Sequence, residues 1–111
     1  MITVCVDELT GAALDWAVAK CEGEEVRLIK GQLETLWTDN GYKPSTDWSQ
    51  GGPIIESEKT AIKENGYGHW FAKVGAGKWM RGPTPLIAAM RCYVASKLGK
   101  NIDIPDELYN D

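Results

Sequence analysis

Residues 84–99, which read TPLIAAMRCYVASKLG, carry the clearest secondary-structure signal in the chain. Thr84 suits the N-cap position, and Pro85 suits the first helical position because a proline there loses no helical hydrogen bond. Gly99 is a typical C-terminal cap. The apolar side chains recur at the three- and four-residue spacings of one helix face: Leu86, Met90, Tyr93, Val94 and Leu98. The stretch therefore predicts an amphipathic helix over 85–98.

A second main helix is predicted over about 8–22, where apolar residues follow the helical period from Leu9. Either Asp7 or Thr10 suits its N-cap, and Gly23 suits its end. Short runs rich in apolar and β-branched residues predict strands at 2–6, 26–29, 54–55, 69–74 and 79–81. Segments 33–37 and 58–65 fit either a strand or a helical turn.

The regular elements leave two segments that are rich in polar and turn-forming residues. Residues 38–53 contain many turn formers and predict a long ordered loop, which is uncommon in so small a domain and often functional. Residues 101–105 predict an extended tail with its isoleucines packed on the body. The fold class is therefore α+β, with a small, mostly antiparallel sheet of short strands packed with two main helices.

The bulk composition sets limits on the class of protein. The chain has 111 residues, of which 43% are hydrophobic and 25% charged, as expected for one globular domain spanning 1–111. A net charge of −4 disfavours general nucleic-acid binding but leaves room for a local basic pocket. No apolar run is long enough to cross a membrane, and the N-terminus lacks a signal-peptide pattern. Three widely spaced cysteines without a Cys-x-x-Cys pair indicate reduced thiols in a cytosolic compartment.

Few residues suggest catalysis, a metal site or a cofactor. His69 is the only histidine, which excludes a zinc site built on two histidines. A Cys–His nucleophilic pair stays open, although no third residue is marked. The segment Gly75-Ala76-Gly77-Lys78 lacks the spacing of a phosphate loop and predicts a hairpin turn. We therefore expect no cofactor and no metal, and the residues favour a protein without enzymatic activity.

One candidate ligand site lies in residues 44–53, where an aromatic ring, hydroxyls, a carboxylate and glycines occur together. Such a mixture suits a polar ligand held by stacking and hydrogen bonds. The candidate contacts are Ser45, Asp47, Trp48, Gln50, Gly51 and Gly52. The structural alternative is a rigid loop in which Ser45 and Asp47 cap turns while Trp48 fills the core.

A second candidate lies at the start of the last helix, where Arg81 precedes the free N–H groups near Thr84. A guanidinium and a helix N-terminus together favour an anion. The alternative is ordinary capping by Thr84, with Arg81 in solvent or paired with a carboxylate. If the two candidate stretches meet in the fold, they form one site.

Segments 13–20, 44–55 and 82–91 resemble the NinX-like family, a group of small proteins of tailed bacteriophages and prophages with no assigned activity. These segments read ALDWAVAK, PSTDWSQGGPII and GPTPLIAAMR. The resemblance runs from the first helix to Leu98 and is weakest in 54–68. It implies a phage accessory protein that works in the bacterial host's cytoplasm, and it brings no catalytic residue.

Three functions fit these observations. The leading hypothesis is a non-enzymatic binder of a small anionic or nucleotide-like ligand, held between the 44–53 loop and Arg81 with Thr84. The alternative is a protein-interaction module that modulates a host or phage enzyme through exposed aromatic residues. A small hydrolase or transferase would need a general base, for which Asp47 is the candidate. The periodicity identifies no surplus apolar face, so oligomerisation stays open.

Overall fold

The computed structural model describes residues 1–35 and 41–109. Within them the helices are α1 Gly11–Glu22, α2 Trp48–Glu58 and α3 Pro85–Leu98. The strands are β1 Ile2–Cys5, β2 Arg27–Ile29, β3 Gln32–Glu34, β4 Ala61–Glu64, β5 Trp70–Lys73, β6 Met80–Gly82 and β7 Asn101–Ile104. Short 3-10 turns lie at Val6–Glu8 and Asp106–Leu108. The α+β class predicted from the sequence is confirmed.

Helix α3 forms the centre of the molecule and has the bounds that its sequence predicts. The hydroxyl oxygen of Thr84 accepts a hydrogen bond from the Ile87 N–H at 3.1 Å, and Gly99 follows the last turn. Residues 88–94 are buried without interruption, so the helix is enclosed on more than one side. It packs against α1, α2 and the strands β4, β5 and β6. The apolar stripe therefore underestimates how much of α3 is buried.

The strands form three separate antiparallel groups: β1 with β7, β2 with β3, and β4 with β5 and β6. The predicted single small sheet is thus divided, although its antiparallel character is confirmed. The tail pairs with the N-terminus, with Ile2 opposite Ile104, and its two isoleucines are buried as predicted. The three-stranded sheet approaches α3 so closely that a Cβ atom on Gly82 would lie 2.5 Å from the Ala88 nitrogen.

Helix α2 is the main departure from the prediction. It contains Ile54 and Ile55, for which the sequence predicts a strand. It also contains residues 48–53 of the predicted 38–53 loop, with Asp47 as its N-cap. Residues 36–40, at the start of that loop, lie outside the described part of the chain. Two glycines and a proline give residues 51–53 a poor helix propensity, so local propensity does not predict a helix here. Packing overrides that preference, because Ile54 and Gly51 are buried against the rest of the fold.

Smaller differences occur at α1 and in the two ambiguous segments. Helix α1 begins at Gly11, later than the predicted 8, because residues 6–8 form the 3-10 turn. Thr10 occupies the N-cap position without a side-chain capping bond, and Gly23 ends the helix in the left-handed conformation. The ambiguous segment 33–37 holds the end of β3, with residues 36–37 outside the described part of the chain, and the segment 58–65 holds β4.

Candidate functional site

Ser45 is buried and is part of the connection between the loop and helix α1. Its backbone N–H donates a hydrogen bond to Asp15 Oδ1 at 2.7 Å. Burial raises the pKa of the Asp15 carboxyl to about 6, against a smaller lowering effect of Ser45. The Ser45 hydroxyl has no hydrogen-bond partner of ordinary geometry among the described residues, although it lies close enough to Asp15 to affect that pKa. Ser45 therefore faces the interior of the fold.

Asp47 and Gln50 bind the loop to the first turn of α2. The carboxylate of Asp47 accepts hydrogen bonds from the Ser49 N–H at 2.9 Å and the Ser49 hydroxyl at 2.7 Å. Gln50 accepts from the Lys43 N–H at 2.9 Å and donates to the Gly41 carbonyl at 3.1 Å and to Asp47 at 3.2 Å. Both ends of the Gln50 amide are thus used within the protein.

Gly51 and Gly52 have different surroundings although they are neighbours. A Cβ atom on Gly51 would lie 2.3 Å from the Pro44 carbonyl oxygen and 2.6 Å from Leu86 Cδ1. The nearest atom to a Cβ on Gly52 is Trp48 Cε3, at 4.0 Å. The contact of Gly51 with Leu86 brings the loop and the start of α3 together, as the combined site requires.

Trp48, Arg81 and Thr84 lie at the surface. Trp48 is 54% exposed at the start of α2, so the alternative in which it fills the core is wrong. Thr84 uses its hydroxyl as the α3 cap. The Arg81 side chain is exposed and has no ion pair within the described residues, while its carbonyl accepts from the buried Arg91 guanidinium at 2.8 Å. Ligand binding by the eight predicted residues stays a prediction.

The hydrogen bonds of Asp47 bear on its proposed role as a general base. Donation from Ser49, assisted by Gln50, lowers the pKa of the Asp47 carboxyl below its ordinary value. A carboxylate that is stabilised in this way is a weaker proton acceptor. The arrangement suits helix capping better than proton abstraction.

A cavity of about 480 Å³ lies elsewhere, between α3, the start of β6 and the end of β1, and we refer to it as the α3 cavity. Its walls and rim are formed by Cys5, Asp7, Val74, Gly77, Lys78, Met80, Cys92, Ala95, Ser96 and Lys100. No motif in the sequence predicts this site. The available signal was the segment 75–78, which was interpreted as a simple hairpin turn, and which does contribute two of the lining residues.

The positive charges around the α3 cavity lack carboxylate partners among the described residues. Lys78 and Lys100 are exposed, and within the described chain neither ammonium group has a carboxylate within 4.0 Å. Asp7 is the only carboxylate among the lining residues, and it interacts with the Cys5 thiol. The local charge is therefore positive although the protein as a whole is acidic.

The two thiols of the α3 cavity are kept protonated. The Asp7 carboxylate accepts a hydrogen bond from the Cys5 thiol and raises its pKa. Burial raises the pKa of the Cys92 thiol, against a smaller opposing effect of the Val74 backbone. Because the thiolate is the nucleophile, neither cysteine is activated. His69, the remaining partner for a Cys–His pair, is not among the residues that line the cavity.

Metal binding and membrane crossing have no support in the residues described. No group of three or more histidine, cysteine, aspartate or glutamate side chains is placed to hold a metal ion in residues 1–35 and 41–109. No helix in the same residues has the length and apolar character to cross a membrane.

Comparison with known protein families identifies the group to which the chain is related. The family described as Bacteriophage P22, NinX matches residues 5–97. The chain belongs to this family. No curated protein matches it. The NinX match confirms the resemblance seen in the sequence and identifies a phage accessory protein. Every residue that lines the α3 cavity lies within the NinX match except Lys100.

Proposed function

We propose that this phage accessory protein binds a small anionic molecule in the α3 cavity and does not transform it. The observation that carries the proposal is the pair of lysines, Lys78 and Lys100, on the rim of the cavity without carboxylate partners. An unpaired ammonium group beside a cavity attracts an anion. Two of them offset the single carboxylate of Asp7.

The size and lining of the α3 cavity fit a small ligand. Its volume of about 480 Å³ falls within the range of about 300–1,000 Å³ that small-molecule sites occupy. The apolar side chains of Val74, Met80 and Ala95 line the cavity. The apolar part of a ligand that binds there would be removed from water, which favours binding. An apolar lining with a few charged groups is typical of sites that bind one orientation of a ligand.

A binding role without catalysis is supported by the chemistry of the lining residues. The Cys5 and Cys92 thiols have raised pKa values, and the Asp7 carboxylate interacts with Cys5. Although the Asp7 carboxylate lies beside the Cys5 thiol, it raises the pKa of that thiol, so neither cysteine among the described lining residues is an activated nucleophile. The proposal transfers the anionic-ligand hypothesis from the 44–53 loop to the α3 cavity, because the polar groups of the loop already have partners within the protein.

The test is native mass spectrometry of the purified protein before and after incubation with bacterial host extract. We expect a small, reproducible mass increase that identifies the ligand. The ligand should then raise the melting temperature, because at about 100 times its Kd it adds about 2.7 kcal/mol of stability. For a domain of this size that corresponds to about 10 °C or more.

Matched lysine variants show whether the α3 cavity is the site. The double variant Lys78→Gln with Lys100→Gln should lose the mass increase and the thermal shift. The control Lys43→Gln, which alters an exposed lysine in the loop, should retain both. Retention of the ligand by the double variant, or its loss in Lys43→Gln, would contradict the assignment to the cavity. Absence of any bound small molecule would contradict the function.

A second candidate function, the protein-interaction module, is favoured by the β2–β3 hairpin. Leu28 and Ile29 are 41% and 46% exposed on a strand whose three residues are all exposed. Exposed apolar side chains of this kind anchor protein partners. This function predicts a macromolecular complex from infected cells that Leu28→Ser with Ile29→Ser disrupts and the lysine double variant does not. Disruption by the lysine variant alone would favour the ligand instead.

A further inference from the structure

We propose that the outer face of the β4–β5–β6 sheet binds single-stranded DNA. This surface, the basic–aromatic face, consists of Lys63, Phe71, Lys73, Trp79 and Arg81. It is separate from the α3 cavity, since none of its five residues lines that cavity. The proposal is therefore independent of the proposed small-molecule ligand.

The strand register places these side chains on one surface. Phe71 lies opposite Lys63 on one neighbouring strand and opposite Arg81 on the other, which forms one cross-strand row. The alternate residues Ala72 and Gly82 are buried towards α3. Because successive side chains of a strand point to opposite faces, the row of Phe71 faces away from the helix.

Trp79 extends this face by a second row. The Lys63 ammonium lies 4.2 Å from the centre of the Trp79 ring, and the Lys73 ammonium lies 5.0 Å from it. Trp79 is 38% exposed, so part of its ring is open to solvent. Trp79 directly precedes β6 and lies two residues before Arg81, the residue opposite Phe71. If it continues the strand register, the two side chains are diagonal neighbours about 7–8 Å apart, within reach of two successive bases.

The charges of the basic–aromatic face oppose those of the protein as a whole. The net charge is −4, whereas this face carries three cations. Within the described chain, none of the three has a carboxylate within 4.0 Å. The outward positions of the three strands hold Ala61, Lys63, Phe71, Lys73 and Arg81, without an acidic residue. A polyanion would relieve the repulsion among these cations.

Aromatic rings beside cations are the two components that single strands require. The bases stack on rings, and the phosphates contact ammonium and guanidinium groups. A duplex keeps its base faces hidden and leaves only the phosphates to be bound. The outward positions of these strands hold no hydroxyl or amide side chain, so none of them requires a 2′-hydroxyl, and we assign the face to DNA.

The acidic net charge limits this binding to a short strand. Three contacts with phosphate imply that log K falls with log salt with a slope of about −2, since each contact adds about 0.7 on a single strand. The excess of negative charge elsewhere disfavours long duplexes and general nucleic-acid binding, in agreement with the expectation from composition.

The experiment is a fluorescence-polarisation titration of the full chain with a labelled oligothymidine, at salt concentrations from about 50 to about 200 mM. We expect saturable binding with the slope given above. Trp79→Ala should weaken binding by about tenfold, as expected for the loss of one stacked base, and Trp79→Phe should restore most of it. Lys63→Gln with Arg81→Gln should make the slope shallower by about 1.4.

Two controls separate the site from general charge and from misfolding. Lys100→Gln removes one positive charge at the α3 cavity and should leave oligothymidine binding unchanged. The Lys63→Gln and Arg81→Gln changes affect exposed side chains, so their circular-dichroism spectra and melting temperatures should match those of the unaltered protein.

The proposal is overturned if the unaltered protein does not bind oligothymidine at about 50 mM salt. It is also overturned if Lys100→Gln weakens binding as much as Lys63→Gln with Arg81→Gln. If duplex DNA binds more tightly than oligothymidine, base stacking on Phe71 and Trp79 is excluded. If oligouridine binds more tightly than oligothymidine, the face is assigned to RNA.

Discussion

The loop and first α2 turn, residues 41–52, and the β4–β6 segment, residues 61–82, differ in where their polar groups are used. In the first region, Asp47 and Gln50 bond to neighbouring residues, and Ser45 faces the buried Asp15. In the second, Lys63, Lys73 and Arg81 have no carboxylate within 4.0 Å among the described residues. Both regions combine aromatic with polar residues, as binding sites do.

Composition alone therefore does not identify a binding surface. A polar side chain is available to a ligand only where the protein leaves its hydrogen bonds or charge unused. By this criterion the polar groups of residues 41–52 stabilise the fold. We propose binding at the 61–82 region and the α3 cavity because their lysines and Arg81 have no carboxylate partner among the described residues, although Lys63 and Lys73 contact the Trp79 ring.

Gly51→Ala should destabilise the protein by about 3 kcal/mol, because the added methyl overlaps the Pro44 carbonyl and Leu86. Gly52→Ala is the matched control. Its methyl meets only Trp48 at 4.0 Å, and alanine favours a helix, so a gain of about 0.5–1 kcal/mol is expected. Urea unfolding of both variants measures the difference. Equal stabilities would show that the loop does not pack as described.

The free energy of unfolding should fall as the pH rises through the range in which Asp15 titrates. The folded state raises the pKa of this carboxyl from 3.8 to about 6, mainly through burial, so it holds the proton more tightly than the unfolded chain. The stabilising effect is complete below pH 3.8 and is lost as the pH rises through about 6. The loss is about 3 kcal/mol.

Asp15→Asn isolates this effect, since its side-chain oxygen can still accept from the Ser45 N–H. The stability of the variant relative to the unaltered protein should increase between pH 4 and pH 7 by about 3 kcal/mol. Asp47→Asn should do the opposite, because the folded state lowers the pKa of Asp47. A pH-independent difference for Asp15→Asn would mean that the carboxyl is not buried.

Gln50→Ala should cost about 2 kcal/mol, because it leaves the Lys43 N–H and the Gly41 carbonyl without their partner. Arg81→Ala is the comparison from the second region, and it should change stability by less than about 0.5 kcal/mol. Thermal unfolding measures both. If Arg81→Ala is the more damaging change, the guanidinium has a structural partner and is not free for a ligand.

Trp48→Ala should have the smallest effect on stability, within about 0.5 kcal/mol, since the ring is 54% exposed. Under the original loop hypothesis the same change abolishes binding of a small anion. A melting curve and a binding assay on this variant therefore separate the two regions. Loss of ligand with an unchanged melting temperature would return the site to the loop.

The sequence predicts helix α3 and the α+β fold class correctly because both follow from local signals, namely apolar periodicity and capping residues. Thr84, Pro85 and the apolar positions of α3 act within one segment. Helix α2 escapes prediction because its stability comes from contacts with Pro44 and Leu86, which local propensity does not contain. Residues that are distant in sequence decide this element.

The candidate sites follow the same division. The sequence predicts Thr84 as a helix cap, since a cap is a local feature, whereas for Asp47 it favours a ligand contact and offers capping only as the alternative. The buried Asp15 lies between Leu14 and Trp16 in an apolar helix, and a carboxylate in such a position is a local signal of a buried polar contact. The α3 cavity combines Cys5 with Lys78 and Lys100, and the basic–aromatic face depends on strand register. Neither arrangement can be read from local spacing.

The most direct test of the division is a map of backbone amide chemical shifts while oligothymidine is added. We predict that the largest changes fall on Lys63, Phe71 and Arg81, while the amides of residues 41–52 stay in place. Changes concentrated in residues 41–52, with the sheet unaffected, would contradict the assignment of that region to the scaffold.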